Sequence, residues 1–377
     1  MNDVHYYRDL LTYRGRIEAV RRAVKAVVRT GDRVLEVGAG LGTFSFFAAE
    51  AGAARVWAVD GDPIILVGKA IAAANGYADR VEFIRGWIPD VRLQERADVM
   101  IFEDFSSELL DAETFHLLRS MHQHYAADPV RTIPARARVF MAPVRDAAAY
   151  EDVSSFRLEE GERLFGIDWS ASRSYALNTP RRTRLGKEAI VTDPAAIGDL
   201  WLNLPPDSSV LDGEASWRLT SAGPVHGLAL WFDLELAPGE WLSNAPGAPE
   251  ETWRQFFLPL DPPLATGAGQ LLHATVRRER HPDESPGWLS WTVECEGVSA
   301  RGHEFASRPA ALKDLFPLSS DTVPVLDPRA AREATVLGLT DGRRSVEQIA
   351  EGLLEIYPDL TRTQALQLVT GTLLGRT

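Results

Sequence analysis

The chain has 377 residues, and 40 Lys and Arg against 53 Asp and Glu give it a formal net charge of −13. This length predicts two or three domains, and the charge argues against nucleic-acid and anionic-membrane binding, because those surfaces would repel the chain. The single cysteine excludes an intramolecular disulfide, and neither a membrane-spanning apolar run nor a signal-peptide pattern is present, so we expect a soluble cytoplasmic protein.

The first 145 residues alternate short apolar runs with helical patterns, as βαβ units do. Buried strands are predicted at 34–37, 56–59, 81–84 and 99–102, with helices at 42–51 and 63–74. A further helix follows, because leucines at 110, 117 and 118 and a methionine at 121 share one face. The pattern predicts an α/β domain with a parallel sheet over residues 1–145.

Two further regions differ in pattern from the first. From about 136 to 305, alternating strands and Pro/Gly turns predict a β-rich barrel or sandwich, which we assign to 146–316. A Pro/Ser-containing linker at 317–328 follows. Two capping boxes, at Ser345 and Thr361, and helical periodicity predict a small module of about three helices over 317–377.

A glycine-rich turn directly after the first predicted strand carries the first chemical signal. Gly38, Gly40 and Gly42 follow Glu36, whereas a dinucleotide fingerprint would place its third glycine at 43. This spacing favours S-adenosylmethionine over a dinucleotide. Asp60 ends the next strand, where a carboxylate suits ribose hydroxyls and repels the 2′-phosphate of NADP. The alternative is a turn that serves only helix–strand packing, and the alignment of strand, turn, helix and acid favours cofactor binding.

Several segments resemble protein arginine methyltransferases. Residues 34–60, which include FAAEAGA at 47–53, resemble the family's cofactor core, typically VLDVGCGTG…FAAKAGA. Further matches are the adenine-contacting segment at 84–88, the strand before the "double-E" loop at 98–103, and the barrel segment LSTSP…THWKQ at 242–246 and 251–255. The resemblance spans about residues 5–305. It implies a Rossmann-like class I methyltransferase domain, then a β-barrel-like domain, S-adenosylmethionine as cofactor, and head-to-tail homodimers.

The resemblance also implies roles for individual residues. The three glycines would line the cofactor turn, with Glu36 before it. Asp60, followed by Gly61, would hold the ribose, and Ile88, preceded by Trp87, would meet the adenine. Tyr6 falls where the family has a Met near the sulfonium, and an aromatic face there suits a cation. The family's Arg for the cofactor carboxylate falls on a threonine at 12, and Arg14 and Arg16 are close enough to replace it.

The substrate loop departs from the family pattern. The family clamps a guanidinium between two carboxylates nine positions apart. Here Glu103 is the first, but Ala112 stands at the second position, next to Glu113, and Thr252 replaces the family's His before Trp253. A planar fork of donors needs matched acceptors, so these changes argue for a simpler amine as the substrate.

The predicted catalytic residues are Glu103, Asp104 and Glu113, and the predicted substrate contacts are Glu103, Thr252 and Trp253. Glu103 also borders the predicted cofactor site. An ammonium has no lone pair, so a carboxylate must accept its proton or hold the neutral amine. For Asp104 and Glu113 a solvated helix start is an equal alternative. No metal site is predicted, because the histidines at 116, 122 and 124 lack partner ligands at metal-binding spacing.

The tail at 339–350 resembles the helical half of PqqD-like modules, which bind leader peptides during ribosomal peptide maturation. Joined to an arginine-methyltransferase-like body, it resembles daptide-type methyltransferases. The leading prediction is therefore an N-methyltransferase acting on a peptide or protein amine, reached through a leader peptide. One alternative is arginine methylation, with Glu113 as the second carboxylate. Another is a non-catalytic peptide-binding scaffold, and the tail alone could equally serve packing or dimerisation.

Overall fold

A computed structural model describes residues 4–103, 112–154, 166–204, 212–249, 253–278, 288–307, 326 and 328–374. The chain forms two compact units, Met1–Pro309 and Ala310–Thr377. For residues 112, 113 and 374, the structure describes the backbone but not the side chains. Asp104 and Thr252 lie outside the described residues, as does the 317 boundary predicted from the sequence.

The first part of the larger unit is a five-stranded parallel sheet in the order β3-β2-β1-β4-β5. Its strands are β1 Arg33–Val37, β2 Arg55–Asp60, β3 Val81–Arg85, β4 Ala97–Phe102 and β5 Ala126–Ile133. Its helices are α1 Val4–Thr12, α2 Arg14–Val27, α3 Thr43–Glu50, α4 Ile65–Ala74 and α5 Ala112–His124. The α/β fold class and the four predicted parallel strands are confirmed, because both faces of β1, β2 and β4 are buried as in a doubly wound sheet.

The fifth strand, β5, and the two N-terminal helices are absent from the sequence prediction. Pro129 lies inside β5 and cannot donate a ladder hydrogen bond, which hides the strand in the sequence. The register of β5 on β4 shifts between Ala97 and Val99, so the proline falls where the pairing is interrupted. Pairing with β4 resumes at Arg131–Ile133. In the strand order, β5 is the edge strand of the sheet.

The second part consists of two antiparallel sheets. The larger has the order β7-β12-β10-β6-β8, with β11 added to β10, and the smaller has the order β15-β14-β13-β9. The strands are β6 Arg136–Val144, β7 Arg181–Thr183, β8 Ala195–Trp201, β9 Asp212–Arg218, β10 Gly223–Ala237, β11 Glu240–Ser243, β12 Gln255–Thr266, β13 Leu271–Arg278, β14 Leu289–Cys295 and β15 Val298–His303. Helices α6 Ala147–Ser154 and α7 Arg173–Leu177 and three 3₁₀ turns, Ser170–Ser172, Lys187–Ala189 and Glu304–Ser307, connect them.

The long strand β10 organises the barrel-like part. It pairs with β6 from Val144 to Arg136 and with β12 along its first half. Its apolar run from Leu228 to Phe232 is buried on both faces, which gives the region its core. Strand β6 begins only three residues after β5, and because it pairs with β10 it belongs to the antiparallel sheet.

The smaller unit contains three helices, α8 Pro328–Leu339, α9 Val346–Ile356 and α10 Arg362–Leu374. Its own core contains Val336, Ile349, Leu353, Ala365 and Val369, among others. The capping box predicted at α9 is present, because Gln348 N donates to the Ser345 hydroxyl at 3.3 Å and Ser345 N donates to the Gln348 side chain at 2.9 Å. Within the described residues, the helices are too short or too polar to cross a bilayer.

Candidate cofactor and active site

The glycine turn after β1 is held by the carboxylate that ends β2. Gly40 N donates to Asp60 Oδ2 at 2.8 Å, and Asp62 N donates to Asp60 Oδ1 at 2.7 Å. Gly40 has a φ of 52°, and a Cβ there would lie 2.2 Å from a ring carbon of Tyr7, so this position requires glycine. Burial raises the pKa of Asp60, and the two backbone donors oppose that shift. Each oxygen keeps a second lone pair, which could accept a ribose hydroxyl.

A buried carboxyl lies under the turn. Glu36 is near the end of β1 and accepts hydrogen bonds from the hydroxyl and the backbone N–H of Ser45 in α3. Gly42 occupies the N-cap position of α3 and has no side chain to cap it, so Glu36 supplies the missing acceptor. The pKa of Glu36 is raised to about 8, mainly by burial and to a lesser extent by the charges of Asp60 and Glu103, while the hydrogen bonds from Ser45 oppose the shift. The structure therefore places this residue beneath the turn, as a helix cap.

The predicted residues Arg16 and Glu103 form one buried ion pair. Both Arg16 Nε and Nη2 donate to the two Glu103 oxygens, and the side chains are 7% and 10% exposed. The guanidinium lies 5.6 Å from the ring centroids of both Phe44 and Trp253. Two aromatic rings and a bidentate carboxylate hold this cation strongly. The pair thus joins α2, α3, the end of β4 and the segment before β12.

Aromatic side chains lie against two glycines of the predicted cofactor site. Trp87 is 71% exposed, and a Cβ on Gly61 would lie 2.2 Å from its indole. Gly61 thus provides a shallow groove that the indole fills, next to Ile88 of the predicted adenine segment. On the other side, the ring of Tyr7 lies against the glycine turn, and it is in edge-to-face contact with the ring of Tyr6, with 5.3 Å between the two ring centroids.

The other predicted residues lie on the surface, outside the described residues, or away from the glycine turn. Arg14 is exposed at the start of α2. Asp104, Thr252 and the Glu113 side chain lie outside the described residues. His122 contacts the Leu202 carbonyl at 2.8 Å, and burial lowers its pKa. Within the described ranges, no group of three His, Cys, Asp or Glu side chains could hold a metal ion.

Trp253 is held in place by a buried polar network that sequence reasoning missed. Asn244, only 2% exposed, accepts from Phe232 N at 2.8 Å and donates to the Arg254 carbonyl at 2.9 Å. Gln255 donates to the Asn244 carbonyl at 2.6 Å. The only sequence signal was that Asn244 lies inside the motif at 242–246. The sequence analysis also missed three residues whose roles depend on contacts with other elements. Tyr7 packs against Gly40, Phe44 lies against the Arg16 guanidinium, and Ser45 donates to Glu36.

The order of the parallel sheet, the glycine turn and the barrel-like continuation define a class I methyltransferase fold followed by a β-barrel domain. Residues 135–291 match a family model described as the arginine methyltransferase oligomerization subdomain. The chain is therefore arginine-methyltransferase-like in sequence and in fold, as the sequence resemblance predicted. The PqqD-like resemblance of the tail stays a prediction.

Curated relatives and solved structures agree with this fold. A probable histone-arginine methyltransferase 1.3 of Arabidopsis thaliana is 27% identical over 301 residues, 74% of this chain and 56% of the relative. A probable protein arginine N-methyltransferase 6 of the same plant is 28% identical over 243 residues, 62% of this chain and 55% of the relative. The chain thus spans about half the length of these relatives.

Two solved structures show the same fold over most of the chain. The Trypanosoma brucei PRMT1 enzyme-prozyme complex with AdoHcy has a TM-score of 0.70 at 22% identity, covering 79% of this chain and 97% of that one. Arabidopsis thaliana protein arginine methyltransferase 10 has a TM-score of 0.65 at 20% identity, covering 80% and 98%.

Proposed function

We propose that this protein is an S-adenosylmethionine-dependent N-methyltransferase acting on a protein or peptide. The observation that carries the proposal is the meeting of three features at one edge of the parallel sheet. The glycine turn follows β1, Asp60 ends β2, and Glu103 directly follows β4. Ligands of doubly wound sheets bind at this carboxyl edge. The two relatives reported above are named as probable arginine methyltransferases, which supports the same class of activity.

The residues present fit S-adenosylmethionine. The glycine turn admits a ligand close to the backbone, and Asp60 has lone pairs left for ribose hydroxyls. Trp87, exposed over Gly61, offers a flat surface for an adenine. Arg14, exposed at the start of α2, is the cation that would hold the cofactor carboxylate, because the Arg16 guanidinium is paired with Glu103. When bound, the cofactor supplies a methyl group on a sulfonium.

Glu103 would position and deprotonate the acceptor nitrogen. In methyl transfer, the nitrogen lone pair forms the N–C bond as the S–C bond breaks, so the nitrogen must have lost a proton to a carboxylate or to water. Arg16 donates to both Glu103 oxygens, and this bidentate pairing fixes the orientation of the carboxylate. The role of Arg16 is therefore to orient this carboxylate. Asp104 and Glu113 are further candidates for the same work.

The arginine side chain is the acceptor that the relatives favour, since they are named as arginine methyltransferases. Glu113 would then replace the second carboxylate. A peptide amine is the second candidate, because Ala112 and Thr252 stand where the family carries an acid and a histidine. In that case the chain would act in ribosomal peptide maturation, with the tail binding a leader peptide. Homodimers are part of the proposal, in line with the oligomerization subdomain.

Mass spectrometry of two peptides tests the function and separates the acceptors. One peptide carries an arginine and an acetylated N-terminus, and the other carries a free N-terminus and no arginine or lysine. We expect a 14 Da increase on one of them with S-adenosylmethionine. A chain that binds cofactor and peptide but methylates neither would support the scaffold alternative.

The variant Glu103→Gln should lower turnover by about 10²-fold or more, the usual contribution of general acid–base catalysis. Binding of S-adenosylhomocysteine should persist, which calorimetry can measure. Thermal unfolding must be recorded beside it, because the change leaves Arg16 half-paired in a buried site. Glu294→Gln, on an exposed position of β14, is the matched control. Wild-type turnover in Glu103→Gln would remove Glu103 from the mechanism.

A further inference from the structure

A run of cations interrupts this acidic chain at residues 181–187, where four of seven residues are basic and none is acidic. Arg181, Arg182, Arg184 and Lys187 are all exposed. Arg254, which directly precedes the neighbouring strand's first residue, is exposed as well. We call these five residues the basic edge. A local excess of positive charge in a chain of net −13 points to a negatively charged partner.

The basic edge includes an open strand. β7, Arg181–Thr183, is the last strand of its sheet and pairs only with β12, through Thr183–Gln255, Arg182–Phe256 and Arg181–Phe257. Its outer backbone groups make no sheet pairing within the described part of the chain. An extended polypeptide can add to such an edge, with main-chain hydrogen bonds giving affinity and side-chain contacts giving specificity.

Two cavities flank the strand. One of about 440 Å³ is lined by Arg181, Arg182, Phe256 and Glu304, among others. Another of about 250 Å³ is lined by Arg184, Arg254, Asn244 and Trp253, among others. The Trp253 ring also contacts the Arg16 guanidinium that holds Glu103. The basic edge is therefore continuous with the candidate active site through Trp253.

Most cations of the basic edge form no polar interaction with the rest of the described chain. Within the described residues, the side chains of Arg181, Arg182, Lys187 and Arg254 form no hydrogen bond or ion pair. The nearby Glu304 is engaged elsewhere, since it lies 3.7 Å from Arg278 and accepts from Leu289 N at 3.1 Å. Exposed cations left without internal partners are available to a ligand.

We propose that the basic edge binds an acidic, extended segment of the polypeptide substrate, next to the residue that enters the active site. This inference rests on the proposed function, because it assumes a polypeptide acceptor. It gives the enzyme a sequence preference: Asp or Glu residues close to the methylated nitrogen. The occupant is a peptide because the edge offers backbone pairing beside its charges.

Fluorescence anisotropy with labelled 12-residue peptides tests the inference without requiring methyl transfer. One pair of peptides carries three glutamates before or after a central arginine, and the matched pair carries glutamines instead. The full-length chain is used in the presence of S-adenosylhomocysteine. We expect at least one glutamate peptide to bind about fivefold or more tightly than its glutamine counterpart, with the difference shrinking as salt is raised.

The double variant Arg181→Gln/Arg182→Gln should abolish this preference while leaving S-adenosylhomocysteine affinity unchanged. The control Lys25→Gln/Arg29→Gln removes two exposed cations, one in the last turn of α2 and one just after the helix, and should keep the preference. Equal binding of glutamate and glutamine peptides to the wild type would overturn the inference. So would a change of oligomeric state in the Arg181/Arg182 variant, measured by analytical ultracentrifugation, because the edge would then bind a second copy. Binding without methylation would instead count against the proposed function.

Discussion

At the residue scale, Asp60 links the glycine turn to the second strand through two backbone N–H donors. In Asp60→Asn, one oxygen becomes an NH₂ that faces a donor, at a cost of about 1–3 kcal/mol. We expect the dissociation constant of S-adenosylhomocysteine to rise at least tenfold in calorimetry. Asp79→Asn, an exposed carboxylate before β3 with no side-chain partner in the described ranges, is the control. Unchanged affinity in Asp60→Asn would contradict the role of Asp60 in cofactor binding.

A second prediction at this scale concerns Glu36 and the pH dependence of the free energy of unfolding. Its folded pKa of about 8 lies above the ordinary value of 4.5, so the folded state binds the extra proton between these two values. Stability of the unliganded protein should therefore fall as pH rises through that window, by at most about 1.4 kcal/mol per pH unit from this group. Glu36→Gln cannot ionise, and its amide oxygen can still accept from Ser45.

Urea unfolding of Glu36→Gln and wild type at pH 5.5, 6.5 and 7.5 measures this effect. The variant should gain stability relative to wild type as pH increases. Glu294→Gln, exposed and outside the site, should follow the wild-type curve. Parallel curves for Glu36→Gln and wild type would show that Glu36 is ionised throughout this range.

At the element scale, helix α1 covers the glycine turn through the ring of Tyr7. Gly40→Ala would place a Cβ 2.2 Å from that ring, so it should displace α1 and weaken S-adenosylhomocysteine binding at least tenfold. Gly31 has a φ of +92° and free space around its Cβ position. Gly31→Ala therefore incurs only the strain of a left-handed backbone, about 1–2 kcal/mol, and should bind normally. Equal losses of affinity in both variants would contradict this placement of α1.

At the scale of the whole molecule, the two compact units have separate hydrophobic cores. A chain ending at Pro309 should keep the main calorimetric unfolding transition and its affinity for S-adenosylhomocysteine, because the parallel-sheet and barrel cores lie before that residue. The full-length chain is the comparison. Loss of cooperative unfolding on truncation would show that the helical unit is required for the larger core. Weaker binding of a long peptide alone would support a recognition role for the tail.

The sequence by itself determined four of the five parallel strands, the glycine turn, Asp60 and the capped helices, because each depends on neighbours within a few positions of the chain. The sequence also identified Arg16, Glu103 and Trp253 as candidates. Only the tertiary structure decided that Arg16 binds Glu103, 87 positions away, between the rings of Phe44 and Trp253. It likewise decided that Glu36 caps α3, and that an exposed cationic strand lies beside the site. Such long-range contacts depend on how distant elements pack together, and local periodicity does not encode that packing.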